Sequence, residues 1–388
     1  MNPRSPLSRR AALLGAAAGA AALGAAACGS ADQEATAGGP SAGADGLTPV
    51  KLQLQWVTQG QFAGYFTALE RGFYRDEGLD VQILEGGSDI VPQTVLAQGQ
   101  ADYAIAWVPK ALASREQGAA ITNVAQVFQR SGTLQVSFKG AGIDSVEALR
   151  GKKVGNWGFG NEYELFAAMT AAGLDPATDV TLVQQQFDML GLLQGDVDAA
   201  QAMTYNEYAQ LLEAEDPATG ELYTADDFTV LDWNEVGTAM LQDAVWASSD
   251  KLGDTAYQEQ TVAFLKASLR GWAAARDDAA AARDVVVAGG STLGASHQLW
   301  QVNEVNKLVW PAPAGAGVVD AAAWERTVAI ARDTRNAEGQ TVISRDPGAD
   351  AYTNEFVQRA VDELSADGVD VTGESFTPLE VTLNPGGA

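Results

Sequence analysis

Aromatic and amide side chains are concentrated where the strands of this sequence end. Gln55, Trp56, Gln59, Gln61, Tyr65, Trp107 and Gln129 come from its first third, and Trp157, Phe159, Asn161, Glu162, Tyr205, Asn206 and Glu207 from its middle. Aromatic walls with a few placed polar groups are what small-molecule pockets use. Two tryptophans approaching from opposite sides would grip a flat ring, and an offset stack adds roughly 0.5–1.5 kcal/mol beyond area burial. Glu162 and Glu207 could accept from an exocyclic amine or pair with a protonated ring nitrogen, and an aminopyrimidine offers both. Plainer uses stand beside these. A tryptophan at a strand end often belongs to the core, one of Tyr65 and Phe66 is expected to face inward, and Glu162 at a helix start complements the helix dipole.

Basic residues are scarce at the same strand ends. Lys110 and Arg130 are nearest, and Lys152-Lys153 are expected on the outside. A buried oxyanion needs its charge compensated. A helix N-terminus supplies part of that, but Asn161-Glu162 at such a terminus would repel an anion. The pattern therefore favours a neutral or weakly cationic heterocycle. Catalysis has less to work with. The sequence has one histidine, His297, expected on a surface helix, and one cysteine, Cys28. Neither a Ser/His/Asp triad nor a His-rich metal site can be assembled around the pocket from these. The reading calls for no cofactor and no metal. Trp246, Trp272, Trp300, Trp310 and Trp324 are read as structural.

The elements that position these side chains follow from periodicity. Residues 50–56 alternate apolar and polar side chains, as a strand does. Residues 65–71 are apolar at helical spacing and stop at Gly72. Strands follow at 79–84, closed by Gly86-Gly87, and at 103–107, with a helix at 91–98 between them. Strand, helix, strand, helix, strand is a doubly wound parallel unit, whose ligands sit beyond the carboxyl ends of the strands. A second unit begins after Phe138, with strands at 153–156, 180–184 and 199–203 and helices at 145–149, 161–172, 189–193 and 205–213. The apolar extended runs 134–138 and 239–247 read as two hinge crossings. Helices at 256–277, about 298–309 and 354–364 return to the first unit. The α/β chain thus divides into a first lobe at 48–137, a second at 138–240 and a return to the first at 241–388.

Several pieces of this sequence resemble ABC-transporter substrate-binding proteins of the branch that binds thiamine pyrimidines, riboflavin, nitrate, sulfonates and taurine. They are Gly72-Phe73-Tyr74 with Glu77-Gly78-Leu79-Asp80-Val81, then Gly99-Gln100-Ala101-Asp102-Tyr103, then residues 145–154, and finally Tyr352-Thr353-Asn354-Glu355-Phe356. The resemblance implies the type II periplasmic-binding-protein fold, two lobes that close on a ligand by hinge motion. It also implies that the junction at Glu207 supplies ligand contacts. The same fold occurs in fungal thiamine pyrimidine synthases, which consume a lysine-bound pyridoxal phosphate and one of their own histidines. Those enzymes carry a cysteine-rich run and several site histidines, and this sequence has neither.

The N-terminus is in keeping with export. Residues 1–27 have a basic start (Arg4, Arg9, Arg10), an Ala/Leu/Gly run and small residues before Cys28. That reads as a cleavable signal, too short and too rich in Ala and Gly for a membrane span. Ala25-Ala26-Ala27-Cys28 resembles a lipobox with Ala25 where Leu is usual, and Ser8-Arg9-Arg10 with Leu13-Leu14 resembles a twin-arginine signal. Residues 28–47 read as a flexible tether to a lipid on Cys28. The formal charge is −26, and losing the three leader arginines makes it −29. That argues against nucleic acid or an anionic membrane as partner. The expectation is a monomeric, lipid-anchored receptor outside the cytoplasmic membrane. It would hand a planar nitrogen heterocycle, a thiamine pyrimidine precursor before a riboflavin-like ring, to the permease and ATPase chains of an importer. The alternatives are a pyrimidine-forming enzyme of the same fold, a nitrate, sulfonate or taurine binder, and an interaction protein on a dead binding fold.

Overall fold

The computed structural model describes residues 46–388, so the leader, Cys28 and nearly all of the tether lie outside the described residues. Among the described residues ten strands are formed: β1 (Thr48–Gln53), β2 (Leu79–Leu84), β3 (Tyr103–Trp107), β4 (Ile121–Gln126), β5 (Thr133–Phe138), β6 (Lys153–Asn156), β7 (Thr181–Gln184), β8 (Ala200–Met203), β9 (Phe228–Asp232) and β10 (Asp243–Ser248). They build two lobes of the same plan. In the first, the order is β2-β1-β3-β10-β4, with β1 parallel to β2 and β3, and β10 antiparallel to both its neighbours. In the second, β8-β5-β9 is antiparallel and β6-β7 is parallel. A parallel bridge from Val154 to Ala199 joins these two pieces. The second sheet therefore runs β7-β6-β8-β5-β9, the order of the first with each strand replaced by its counterpart.

The likeness extends to single residues. Gln98-Gly99-Gln100-Ala101-Asp102 and Gln194-Gly195-Asp196-Val197-Asp198 each leave a helix through a glycine at positive φ. The Asp102 carboxylate accepts the Lys51 N–H at 2.9 Å, and Asp198 accepts that of Lys153 at 2.8 Å. In return the Asp102 N–H donates to the Lys51 carbonyl at 2.9 Å and that of Asp198 to Lys153 at 2.8 Å. Each aspartate thus aligns the start of its lobe's central strand.

Strand alternation sorts the first lobe's core into two faces. Tyr103, Ile105, Val245 and Ala247 face one way, under the helices Ala63–Glu70, Thr255–Asp277 and Glu355–Ala366. Ala104, Ala106, Ala244 and Trp246 face the other, toward Leu112, Trp324 and Val328. The helices Ala63–Glu70 and Thr255–Asp277 cross closely. A Cβ on Gly64 would stand 2.2 Å from the Trp272 ring, and one on Gly271 would stand 2.1 Å from the Gly64 carbonyl oxygen.

Two expectations are corrected by this topology. Residues 134–138 are not a hinge crossing but most of β5, paired on both sides inside the second lobe, whose sheet therefore begins at Thr133 and not after Phe138. Likewise residues 243–247 lie in β10, the antiparallel member of the first sheet, so neither sheet is purely parallel. The chain crosses between lobes at 127–132 and 233–242, and polar side chains join the two crossings. Gln242 donates to the Ser131 and Thr133 hydroxyls at 3.0 and 2.6 Å and accepts the Gly132 N–H at 2.8 Å. Asn234 donates to the Ser131 carbonyl at 2.8 Å and accepts its N–H at 3.1 Å.

Candidate functional site

The carboxyl ends of β1, β3, β6 and β8 carry the loops that face across the two lobes. Three groups of side chains meet there.

The first gathers on Asp243, at the start of β10. Its carboxylate accepts from the Gln55 amide at 2.6 Å, the Gln61 amide at 2.9 Å and the Trp107 indole N–H at 2.8 Å. Gln59 donates to Gln61 at 2.8 Å. Asp243 is buried, and burial pushes its carboxyl up to about 7 although Gln61, Trp107, Gln55 and Lys110 all pull it down. Sequence reading missed Asp243. An aspartate one residue into an apolar run was the available signal.

The second group walls a cleft of about 580 Å³. Pro109 and Lys110 come from the helix Val108–Glu116, Asn156 from the end of β6, Gly158 to Gly160 and Glu162 from the loop after it, and Asn336 to Glu338 with Gln340 to Val342 from a turn that the sequence reading passed over. Phe159 projects into solvent, 83 % exposed, with φ at +54° between two glycines also at positive φ. A bulky residue in the left-handed region is strained, so the loop is held. Gly158 N–H donates to Asn156 Oδ1 at 2.9 Å, Asn161 Nδ2 to the Gly158 carbonyl at 2.7 Å, and Gly160 N–H to Glu162 Oε2 at 2.9 Å. Burial pushes the Glu162 carboxyl up and the Lys110 ammonium down to about 8. Lys110 also lies 5.1 Å from the centre of the Trp107 ring.

The third group is aromatic and spans the lobes. Trp56, from the loop after β1, meets Phe187 with centroids 4.9 Å apart and planes at 59°. Trp157, from the loop after β6, stacks on the same ring at 6.0 Å and 26°. Phe187 follows β7 and had drawn no attention in the sequence.

Other expected site residues have different surroundings. Tyr65 lies in the core with its ring edge-on to Trp272, because its helix is pressed against Thr255–Asp277. Tyr205 is buried edge-on to Phe128. Gln129 spends its amide on the Gln126 and Val318 carbonyls at the crossing. Glu207 is buried, accepting the Met203 N–H at 3.0 Å and the Asn206 amide at 2.7 Å. Asn206 Oδ1 in turn faces His297 Nε2 at 3.0 Å and Gln301 Nε2 at 2.9 Å. His297 is not on the surface. It is 2 % exposed, with Nδ1 on Glu213 Oε1 at 2.9 Å, so that the helix Ala295–Val309 of the first lobe grips the helix Glu207–Leu212 and its end in the second. Trp300 adds a bond from its indole to the Thr204 carbonyl at 3.0 Å.

Residues 59–282, more than half of the chain, match the family model described as NMT1/THI5 like. The chain belongs to the NMT1/THI5-like family. Among curated members, it is 27% identical to riboflavin-binding protein RibY of Chloroflexus aurantiacus over 80% of this chain and 86% of that one. It is 25% identical to the 4-amino-5-hydroxymethyl-2-methylpyrimidine phosphate synthase THI13 of Saccharomyces cerevisiae over 42% of this chain, spanning about half (48%) of that enzyme. Among solved structures, a putative sulfonate ABC transporter component, the periplasmic sulfonate-binding protein SsuA of Methylobacillus flagellatus, superposes with a TM-score of 0.60 at 20% identity. The superposition covers 87% of this chain and 99% of that one. This NMT1/THI5-like chain accordingly has the periplasmic-binding-protein fold, two α/β lobes joined by two crossings. Among its described residues no helix is long and apolar enough to cross a membrane, and no group of three or more His, Cys, Asp or Glu could hold a metal ion.

Proposed function

We propose that this protein is the solute-binding receptor of an ABC importer and that its solute is a planar nitrogen heterocycle. One observation carries the reading: Trp56 and Trp157, from opposite lobes, both pack on a single aromatic ring, Phe187, beside the cleft. Such a site grips a flat ring only when both lobes contribute, which couples binding to closure. The charge of the cleft supports a neutral or weakly cationic ring. Glu162 and Glu338 face it against the single Lys110, whose ammonium burial holds down to about 8. A sulfonate or nitrate would find little compensation there. An aminopyrimidine ranks first because Glu162 can accept from its amine, and a flavin-like ring second.

The way the reactive residues are engaged supports binding over catalysis. His297 is bonded to Glu213 and Asn206 and lines no part of the cleft. The synthase reading is supported by the match to THI13 and to further 4-amino-5-hydroxymethyl-2-methylpyrimidine phosphate synthases, and it is separated by incubating the protein with pyridoxal phosphate: a synthase would release a pyrimidine phosphate, a receptor would not.

The proposed route outside the cell is export on residues 1–27 and anchoring through lipid on Cys28. Cys28→Ser should then release the protein from the membrane fraction. The functional reading itself is tested by a mass spectrum of the small molecules freed when purified protein is unfolded. A stoichiometric heterocycle supports it, and a stoichiometric sulfonate or nitrate refutes it.

A further inference from the structure

We propose that Phe187 is a resident ring which fills a slot against Trp56 and Trp157 until the flat ring of the ligand displaces it. The inference rests on the heterocycle reading for its ligand, and on three independent features for the residue. First, the ring already packs on an indole from each lobe. It stands 4.9 Å from the Trp56 centroid, tilted by 59°, and 6.0 Å from that of Trp157, near-parallel to the latter. Second, the ring is far more open to solvent than the indole it stacks on. Phe187 is 46 % exposed, whereas Trp157 is 3 % exposed. Third, the backbone on either side is fixed, so the side chain can turn without moving the loop. Gln185 exchanges side-chain bonds with the Gln201 backbone at 2.7 and 2.8 Å, and its N–H donates to the Asn156 carbonyl at 2.9 Å. The Gln186 carbonyl accepts the Trp157 indole at 3.2 Å, and Asp188 accepts the Leu190 N–H at 2.9 Å.

A phenyl ring that touches an indole from each lobe covers part of both. A wider, bicyclic or amino-substituted ring offers more stacking surface to both tryptophans and replaces it. A small anion presents no face to stack and leaves Phe187 in place. The device therefore selects for ring size as well as for ring shape.

The test uses lumiflavin and 4-amino-5-hydroxymethyl-2-methylpyrimidine as probes, titrated into the full mature chain and into Phe187→Ala and Phe187→Trp, with tryptophan emission as the readout. Opening the slot should tighten both probes by roughly three- to tenfold, since no resident ring has to leave, and tenfold corresponds to about 1.4 kcal/mol. Phe187→Trp should weaken both, and probe binding should quench emission in wild type and in Phe187→Ala. Weaker binding in Phe187→Ala would make Phe187 a wall of the site and overturn the proposal, as would the absence of quenching in every variant. The heterocycle reading fails separately. If Phe187→Ala takes the rings with quenching while wild type binds only taurine or nitrate, the resident ring stands and the assigned solute class falls.

Discussion

Trp107 and Asp243 stand directly opposite each other across the antiparallel β3–β10 pair, and the indole of the first donates to the carboxylate of the second at 2.8 Å. The strand that returns from the second lobe thus delivers, at its first residue, the acceptor that orients Trp107, Gln55 and Gln61 at once. The crossing and the site are set by the same register.

That arrangement has a pH signature. Burial holds the Asp243 carboxyl up at about 7, so the folded protein keeps a proton that the unfolded chain has released above about pH 4. Its contribution to stability is present at low pH and is lost as pH rises from about 4 to about 7. Glu164, buried and likewise pushed up to about 7, adds to the same slope. Asp243→Asn should flatten the decline in urea-unfolding free energy by up to about 1.4 kcal/mol per pH unit. An unaltered slope would mean that Asp243 is ionised throughout.

Trp56→Ala and Trp157→Ala should each weaken every planar ligand by roughly 0.5–1.5 kcal/mol, since stacking is indifferent to ring substituents. Calorimetric titration measures this. A loss confined to one class of ring would argue for edge recognition instead.

The two glutamates should part company. Both Glu207 oxygens are taken by Met203 and Asn206, so Glu207→Gln should lower stability by roughly 1–3 kcal/mol and leave ligand preference alone. Glu162 Oε2 accepts the Gly160 N–H, and the residue borders the cleft. Glu162→Gln should weaken aminopyrimidines by about tenfold, a loss of about 1.4 kcal/mol, and flavins much less. Equal losses for both rings would make Glu162 only a brace for the Phe159 loop.

His297→Leu should strand Glu213 in a buried position and cost on the order of 3–5 kcal/mol, the scale for breaking a buried pair. Equilibrium denaturation reports it. A change below about 1 kcal/mol would show that water replaces the imidazole at the lobe interface.

Most elements were legible because their signals are local. The alternation that marks β1, β2 and β3 and the glycines that end helices at Gly72 and Gly99 need no knowledge of the rest of the chain. Strand partners are another matter. Leu134 to Phe138 read as a crossing for its apolar residues, yet Leu134, Val136 and Phe138 alternate with Gln135 and Ser137 as in a strand, and the strand is paired on both sides. His297 read as exposed because its helix is polar. Its burial comes from Glu213 and Asn206, far away in the sequence, and no spacing rule reaches them. Trp56 and Trp157 were found by their place at strand ends, while Phe187, brought against them only in three dimensions, and Asp243, hidden at the head of an apolar strand, were not.

Whether the interlobe site holds a flat heterocycle is decided by calorimetric titration of the mature protein with the aminopyrimidine, riboflavin, taurine and nitrate, each followed by tryptophan emission. Saturable heat with quenching is expected for at least one ring compound and none for the two anions. Saturable binding of taurine or nitrate alone, with both rings silent, would contradict it.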